Sequence, residues 1–258
     1  MKKILEIIIN YSKESKLLDE HALNKIINIL INEYNLQNIN YQIKNDFNFS
    51  FDRVRLGFYM WNSKTLTIYY KRIINYIKKG YYSTTIYYQY KLSKFETYVY
   101  KNLFILETIF HEFEHALQHK DYESQSESLE HKLISISTKN NYRIKDNCEL
   151  YNLSILERLA NINSREKILL MISSLNNEVN KLLDLLFRQL MMKRMENYDI
   201  YDSPTIKYLE LLNGKRYESE YLKEQILSLY SYDDRIKYGL YLTKSELSDN
   251  LLLIKKRG

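Results

Sequence analysis

The chain has 258 residues, of which 45% are hydrophobic, enough for one sizeable core or for one core with a helical annex. No run approaches the roughly 18 consecutive apolar residues that a membrane span needs, so we expect no membrane association. The net charge of +6 at pH 7 does not by itself predict nucleic-acid binding, because abundant Lys, Asn, Ile and Tyr are also what an A/T-rich coding sequence produces.

The cellular compartment is suggested by cysteine usage. Cys148 is the only cysteine, which excludes a disulfide within the chain and favours a reducing compartment. The N-terminal basic and apolar residues are interrupted by Glu6 and no small-residue cleavage site follows, so we expect a helix there rather than a signal peptide. We therefore predict a cytoplasmic protein.

The first seventy residues contain a helical pattern followed by strand patterns. Residues 19–36 place apolar side chains at helical spacing after two acidic residues, which predicts an amphipathic helix. Short runs of β-branched and aromatic residues then predict three strands, over residues 39–43, 53–60 and 65–70. Turn residues at 62–64 favour a hairpin between the last two strands, and Gly57 is a candidate bulge.

The next segment leads into a long helix. Residues 71–79 have helical spacing and Gly80 stops them, whereas residues 81–90 fit either a strand or a loop. Residues 93–96, Ser-Lys-Phe-Glu, have the form of a capping box. They predict the start of a helix that continues through His119.

The remainder of the chain is mainly helical. Polar patches over residues 121–128 and 138–147 predict loops, and helical spacing returns over residues 150–163. Residues 168–186 space their apolar side chains as in a heptad repeat. We favour burial of this segment in its own helical bundle, and a dimerising coiled coil, hence a homo-oligomer, is the alternative.

A metal-binding motif is the main functional signal in the sequence. Residues His111-Glu112-Phe113-Glu114-His115 have the form H-E-x-x-H. Two residues four apart on an α-helix are offset by roughly 40° and one turn, so both imidazoles project from one face at the spacing that one Zn²⁺ needs. Glu112 lies roughly 100° around from His111, where its carboxylate can reach a water on the metal. The pattern predicts His111 and His115 as zinc ligands and Glu112 as a catalytic base.

A chance grouping on a solvated helix face is the competing explanation. With 5 histidines in the chain, this pattern should arise by accident in about one chain in a hundred or fewer. The neighbours of the motif are mostly apolar, as in a buried helix, and buried histidines and carboxylates need partners such as a metal ion. We therefore favour the metal site.

At these residues the sequence resembles the zincin metallopeptidases, whose active-site helix carries uncharged residues around the ligands. Thr108, Phe113 and Ala116 fit that pattern, whereas the charged Glu114 departs from it. The resemblance implies the order helix, sheet and H-E-x-x-H helix, which is the order predicted here. It also implies that a sheet edge takes the substrate backbone as an added strand, and residues 65–70 are our candidate for that edge.

A catalytic zinc normally has three protein ligands and one position for water, so a third ligand is needed. His119 lies two turns beyond the first ligand and is expected to be a surface residue. Asp121 would need the helix to break at a glycine, but that position is Gln118. Glu130 and His131 lie in a polar region with no obvious framework, and they stay open as candidates.

Glu157 is the better candidate because it lies on a predicted helix and the small Ala160, nearly one turn later, would let that helix approach closely. The gap from His115 leaves room for a loop and a returning helix. Here the sequence resembles the gluzincins, whose third ligand is a glutamate on a second helix. The E-x-x-A-N run that starts at Glu157 resembles a stretch of the ImmA/IrrE-like peptidases, which cleave repressor proteins. The competing explanation is an exposed glutamate that pairs with Arg158 or Arg165.

We predict an α+β fold that is mainly helical and zincin-like, with a small three-stranded sheet before the active-site helix and a helical C-terminal third. Residues 1–163 would form the catalytic domain, and residues 164–258 a helical region packed on it or forming an annex. The predicted activity is that of a cytoplasmic zinc-dependent endopeptidase acting on a protein or peptide substrate. Four candidates for stabilising the oxyanion stay open, namely Tyr142, Tyr151, His131 and Arg158.

Two alternatives give the chain a different role. The aromatic and basic stretch over residues 69–100 could stack on and neutralise a nucleic-acid strand, which would make the chain a non-catalytic helical binding protein. A zinc ion closed by four protein ligands would instead be purely structural. Zinc content, turnover and the salt dependence of DNA binding separate the three functions.

Overall fold

The structure is a computed structural model that describes residues 1–45, 55–123 and 155–195. These residues form six α-helices and a three-stranded sheet, so the predicted α+β class is confirmed. The helices are α1 (Lys2–Lys13), α2 (Glu20–Glu33), α3 (Tyr70–Lys78), α4 (Lys94–Glu123), α5 (Ile155–Ser173) and α6 (Asn176–Met195). The strands are β1 (Asn40–Lys44), β2 (Gly57–Met60) and β3 (Thr65–Tyr69).

The chain divides into two compact units, Met1–His119 with Asn163–Gln189, and Lys120–Ile162 with Leu190–Gly258. The first unit contains the sheet, α1, α2, α3 and the larger part of each later helix. Residues 196–258 lie outside the described part of the chain, so the domain boundary between 163 and 164 stays a prediction. No helix among the described residues is both long and apolar enough to cross a membrane.

Local chemistry sets both ends of α2. The Asp19 carboxylate accepts a hydrogen bond from the Ala22 amide at 2.8 Å, as an N-cap residue does. Asn35 has a φ of 53°, a left-handed conformation that commonly follows a helix and that Asn adopts readily. The helix predicted over residues 19–36 is therefore confirmed, apart from one to three residues at its ends.

β3 is the central strand of the sheet, whose order is β1-β3-β2. β2 pairs antiparallel with β3, from Gly57 opposite Ile68 to Met60 opposite Thr65, which confirms the predicted hairpin. β1 pairs with β3 in parallel. The parallel pair is joined by a connection that includes β2 itself, so the strand that is last in sequence lies in the middle.

Two predictions about this sheet are wrong. Residues 65–70 do not form an edge, because β3 is paired on both sides and Leu66, Thr67 and Ile68 are at most 1% exposed. The edges of the described sheet are β1 and β2. Gly57 is not a bulge either, since it begins β2 in regular register. Strand order depends on pairing between distant residues, and the local pattern of one strand does not contain that information.

The approach to α4 follows local signals closely. Gly80 has a φ of 77° at the end of α3, a backbone conformation that favours glycine. The ambiguous residues 81–90 form turns and a short 3-10 helix (Tyr87–Gln89) rather than a strand. The Glu96 carboxylate accepts a hydrogen bond from the Ser93 amide at 2.8 Å, and the Ser93 hydroxyl accepts one from the Glu96 amide at 3.1 Å. The predicted capping box is confirmed, and it begins the 30-residue helix α4.

The heptad-like segment over residues 168–186 is not one helix, because α5 ends at Ser173 and α6 begins at Asn176. Its main apolar side chains are buried in the core of the chain, at 3% exposure or less for Ile168, Ile172, Val179 and Leu182. Burial within the chain is the explanation favoured from the sequence. Association of two copies through this segment stays a prediction.

Asn102 connects α4 to the turn between α1 and α2. Its side chain is fully buried, and its carbonyl oxygen accepts a hydrogen bond from the Leu18 amide at 2.9 Å. Its amide nitrogen donates to the Ser12 hydroxyl at 3.1 Å and to the Lys16 carbonyl at 3.0 Å. One side chain therefore satisfies three polar groups where the first two helices meet α4.

We expect Asn102→Ala to lower the free energy of unfolding by about 1–3 kcal/mol for each buried group that loses its partner. Urea denaturation monitored by circular dichroism measures this change. Asn28→Ala is the control, because Asn28 lies on the exposed face of α2 and donates a single hydrogen bond to the Tyr41 hydroxyl. Equal stability of the two variants would show that the Asn102 contacts do not hold α4 in place.

Candidate metal centre

The H-E-x-x-H motif lies within α4, on a helix that is buried along much of its length. Ile109, Phe110, Phe113 and Ala116 around the motif are at most 2% exposed. Glu112 and Glu114 are also buried, at 6% and 5% exposure. Because charged groups rarely enter a core without partners, each carboxylate has to be explained by what surrounds it.

His111 and His115 project from the same face of α4, as their spacing predicts. Their Nε2 atoms lie 3.2 Å apart, with the two rings nearly perpendicular. Two nitrogens that bind one zinc at about 2.0–2.1 Å in tetrahedral geometry lie about 3.3–3.4 Å apart. The pair is therefore already close to the separation that a shared metal ion imposes.

Gln118 orients one of these histidines. Its side-chain oxygen lies 2.8 Å from Nδ1 of His115, one turn away on the same helix. When Nδ1 donates its proton to this oxygen, Nε2 carries the lone pair and faces His111. A metal-binding histidine usually has such a partner on its other nitrogen, which fixes the tautomer and the ring orientation. This role was not predicted from the sequence, although the spacing of three residues on a helix was a signal for it.

Glu157 completes the group. His111, His115 and Glu157 each offer one ligand atom, and these atoms lie within 4.8 Å of one another. This is the one such group of histidine, cysteine and acidic residues in the part of the chain that the structure describes. Two imidazoles and a carboxylate are a donor set that zinc accepts in catalytic sites, and the three side chains are half-buried.

α5 presents Glu157 near its N-terminus. Asn161 donates its side-chain amide to the Glu157 backbone carbonyl at 2.8 Å, which is a local contact within the helix. Ala160 is fully buried, in agreement with the expectation that a small residue lets this helix pack closely. Arg158, a candidate for stabilising an oxyanion, is 9% exposed and follows Glu157 directly.

Glu112 faces the sheet, where Gly57 makes room for it. A Cβ atom added at Gly57 would lie 2.9 Å from Cγ of Glu112, closer than real side chains allow, and 3.1 Å from its Oε1, a tight contact. It would also lie 3.2 Å from the Thr67 carbonyl oxygen of β3. The first residue of β2 is therefore glycine for a steric reason, and the carboxylate of Glu112 is confined between α4 and the sheet.

Glu114, which departs from the zincin pattern, contacts α5. One carboxylate oxygen pairs with the Lys167 ammonium, and the other accepts a hydrogen bond from the Asn163 amide at 3.0 Å. Burial lowers the pKa of Lys167, but the charge of Glu114 and hydrogen bonds to Glu114 and Tyr34 outweigh this effect and raise the pKa above its usual value. Lys167 therefore stays protonated at neutral pH.

The other predicted candidates are placed as follows. His119 is 8% exposed, so its expected surface position is wrong, because the Trp61 ring stacks on it at 4.5 Å and the Tyr59 hydroxyl lies 3.0 Å from its Nδ1. Asp121 is exposed and does not belong to the ligand group. The remaining candidates lie outside the described residues, namely Glu130, His131, Tyr142 and Tyr151.

Comparisons of the chain with protein-family models, with curated proteins and with solved structures find no match. The resemblance to zincins therefore stays a prediction that rests on the motif and on the residues around it.

We expect the purified chain to bind about one equivalent of Zn²⁺, as determined by mass spectrometry of the metal content and by titration against a chromophoric chelator. His111→Ala removes a ligand atom, and Glu157→Gln replaces an anionic carboxylate ligand by a neutral amide. Each should weaken binding by more than the roughly 10–100-fold that follows the loss of a residue that only orients a ligand. Gln118→Ala should give this smaller effect.

His21→Ala is the matched histidine control, because His21 is exposed in the first turn of α2. Zinc affinity should not change in this variant. If His111→Ala and His21→Ala bind zinc equally, the metal does not bind at the motif.

Proposed function

We propose that the protein is a zinc-dependent endopeptidase of gluzincin type, in which His111, His115 and Glu157 hold the metal and Glu112 is the catalytic base. The observation that carries the proposal is the convergence of those three side chains to within 4.8 Å. The 3.2 Å separation of the two histidine nitrogens supports zinc as the ion. The single cysteine favours the cytoplasm as the compartment, and by resemblance the substrate is a protein or peptide.

Different residues of the chain would have different roles in peptide-bond hydrolysis. Zinc held by these three ligands would lower the pKa of a bound water to about 7 and polarise a carbonyl group. Glu112 accepts the proton of the attacking water and later delivers it to the nitrogen of the departing amine. Gln118 keeps His115 in the tautomer that can act as a ligand. Burial of Glu112 against Gly57 limits the positions that its carboxylate can take.

The two other functions have less support. A structural zinc is normally closed by four protein ligands, whereas the described group has three. For nucleic-acid binding, several rings of the aromatic stretch pack against other aromatic rings of the chain instead of being displayed for bases. Tyr76 stacks on Phe104 at 5.9 Å, and Tyr87 stacks on Tyr100 at 5.0 Å.

Glu112→Gln tests the proposed chemistry most directly. Gln cannot accept the proton, so turnover of a fluorogenic peptide library or of unfolded casein should fall by about 10²–10⁴-fold. Zinc content should stay near one equivalent, because Glu112 is not a ligand. Glu6→Gln is the matched control on the exposed face of α1 and should retain full activity.

The two alternative functions, nucleic-acid binding and a structural zinc site, predict other results. A chain that holds no zinc, and whose activities are the same with Glu112→Gln, is not a metallopeptidase. DNA binding that weakens steeply with salt would favour the binding protein. Unfolding on removal of zinc from the wild type, with no turnover in any assay, would favour a structural metal.

Gly57→Ala tests how the catalytic base is placed. The added methyl group would displace Glu112, and a shift of about 1 Å at a reacting group can lower turnover by about 100-fold. We expect kcat to fall while zinc affinity is retained, because the proposed ligands do not include Gly57 or Glu112. Steady-state kinetics and zinc titration of the same preparation measure both quantities.

Gly80→Ala is the control for the glycine substitution itself. Its φ of 77° makes the substitution strained, but an added Cβ has no atom within 4 Å. It should lower stability by about 1 kcal/mol and leave kcat per zinc-loaded molecule unchanged. If Gly57→Ala behaves in the same way, the contact with Glu112 does not control catalysis.

A further inference from the structure

Glu114 is a charged residue between two proposed ligands, and the chemistry proposed above does not use it. It is 5% exposed, and both of its oxygens are paired with side chains of α5. Lys167 pairs with one oxygen and Asn163 donates to the other at 3.0 Å. These two residues are four apart, so they lie on one face of α5 and both contact the Glu114 carboxylate.

The surroundings leave the Lys167 ammonium little freedom. It lies 4.6 Å from the centre of the Tyr34 ring, at the C-terminal end of α2. The Tyr34 ring in turn packs at 6.5 Å against Phe113, the neighbour of Glu114 on α4. Glu114, Lys167 and Tyr34 thus form one contact cluster that involves three helices.

An ion pair between a buried carboxylate and a half-buried ammonium adds little net stability, because removing charges from water costs about as much as their attraction returns. What it does provide is geometric selectivity. Any rotation or sliding of α5 along α4 would separate the buried Glu114 carboxylate from the half-buried Lys167 ammonium, which is costly. The pair therefore favours one arrangement of α5 on α4 over its neighbours.

That arrangement matters because α5 also carries Glu157. Asn163 follows Glu157 by six positions on a continuous helix. About 9 Å of helix therefore separates the residue that contacts Glu114 from the proposed ligand. A carboxylate must reach the metal within about 0.2 Å of its normal distance. A small shift of α5 would therefore move the Glu157 carboxylate away from its position for metal binding.

We propose that Glu114, acting through Lys167 and Asn163, is a positioning residue that fixes α5 on α4 and thereby places Glu157 for metal binding. This inference rests on the proposed function, specifically on the metal site formed by His111, His115 and Glu157. A second ion pair, Glu107 with Arg165, joins the same two helices, but its side chains are 24% and 31% exposed, whereas the Glu114 side chain is 6% and that of Lys167 26% exposed. Its freedom to rearrange in water makes it a weaker restraint.

The test uses the double variant Glu114→Gln with Lys167→Met, in the full chain. It removes both charges at nearly constant volume and leaves a side-chain oxygen for Asn163, so the apo protein should melt within a few degrees of wild type. Zinc affinity, measured by competition with a chromophoric chelator, should fall by about 10–100-fold. The double variant Glu14→Gln with Lys16→Met removes an exposed pair and should bind zinc as wild type does.

A spectroscopic measurement separates positioning from stability. Co²⁺ in place of Zn²⁺ has a visible absorption spectrum that depends on the number and geometry of its ligands. The spectrum of the Glu114/Lys167 variant should move towards that of Glu157→Gln, because both lose the carboxylate at its proper place. A residue that only stabilised the fold would leave the spectrum of folded protein unchanged.

The outcomes are distinct. Wild-type affinity and a wild-type cobalt spectrum in the Glu114/Lys167 variant would overturn the positioning role while the proposed function stands. A wild-type chain that binds no metal would overturn the proposed function itself. If the double variant does not fold, Asn163→Ala is used instead, because it removes the hydrogen bond to Glu114 and keeps the ion pair. Zinc affinity should then fall severalfold, and an unchanged affinity would again overturn the inference.

Discussion

Buried polar groups must be paired, and this constraint governs how the rest of the described structure is arranged around α4. The helix carries six polar side chains that are at most 8% exposed and have identified neighbours, namely Glu96, Asn102, Glu112, Glu114, Gln118 and His119. Apolar packing alone would allow α4 to slide against its neighbours at modest cost, since hydrophobic contact is not directional. The polar contacts remove that freedom.

Different buried polar side chains of α4 meet different parts of the fold. Asn102 holds the turn between α1 and α2, Glu112 lies against the start of β2, and Glu114 pairs with α5. His119 contacts both Trp61 and Tyr59 near the other end of β2. These partners lie on elements that are distant in sequence, so local sequence patterns cannot predict the contacts. Each contact helps to fix the position of the H-E-x-x-H helix.

Much of the fold near α4 follows from local signals. The capping box at Ser93, the N-cap at Asp19 and the glycine stop at Gly80 are decided by contacts within four residues, and sequence patterns capture such contacts well. The same-face projection of His111 and His115 follows from helix geometry alone. The central position of β3 could not be predicted, because an apolar strand of five residues fits either a central or an edge position until its partners are known.

By itself, therefore, the sequence determined the motif helix, its beginning, the hairpin and the candidate ligands, because each depends on a repeat or a cap that neighbouring residues supply. Only the tertiary structure decided the role of Gly57, the burial of His119 and the partners of Glu114. Those depend on which distant side chains share a small volume, and no local pattern records that. Glu114 illustrates the difference: in sequence it departs from the family pattern, and in the fold its carboxylate joins α4 to the helix that carries Glu157.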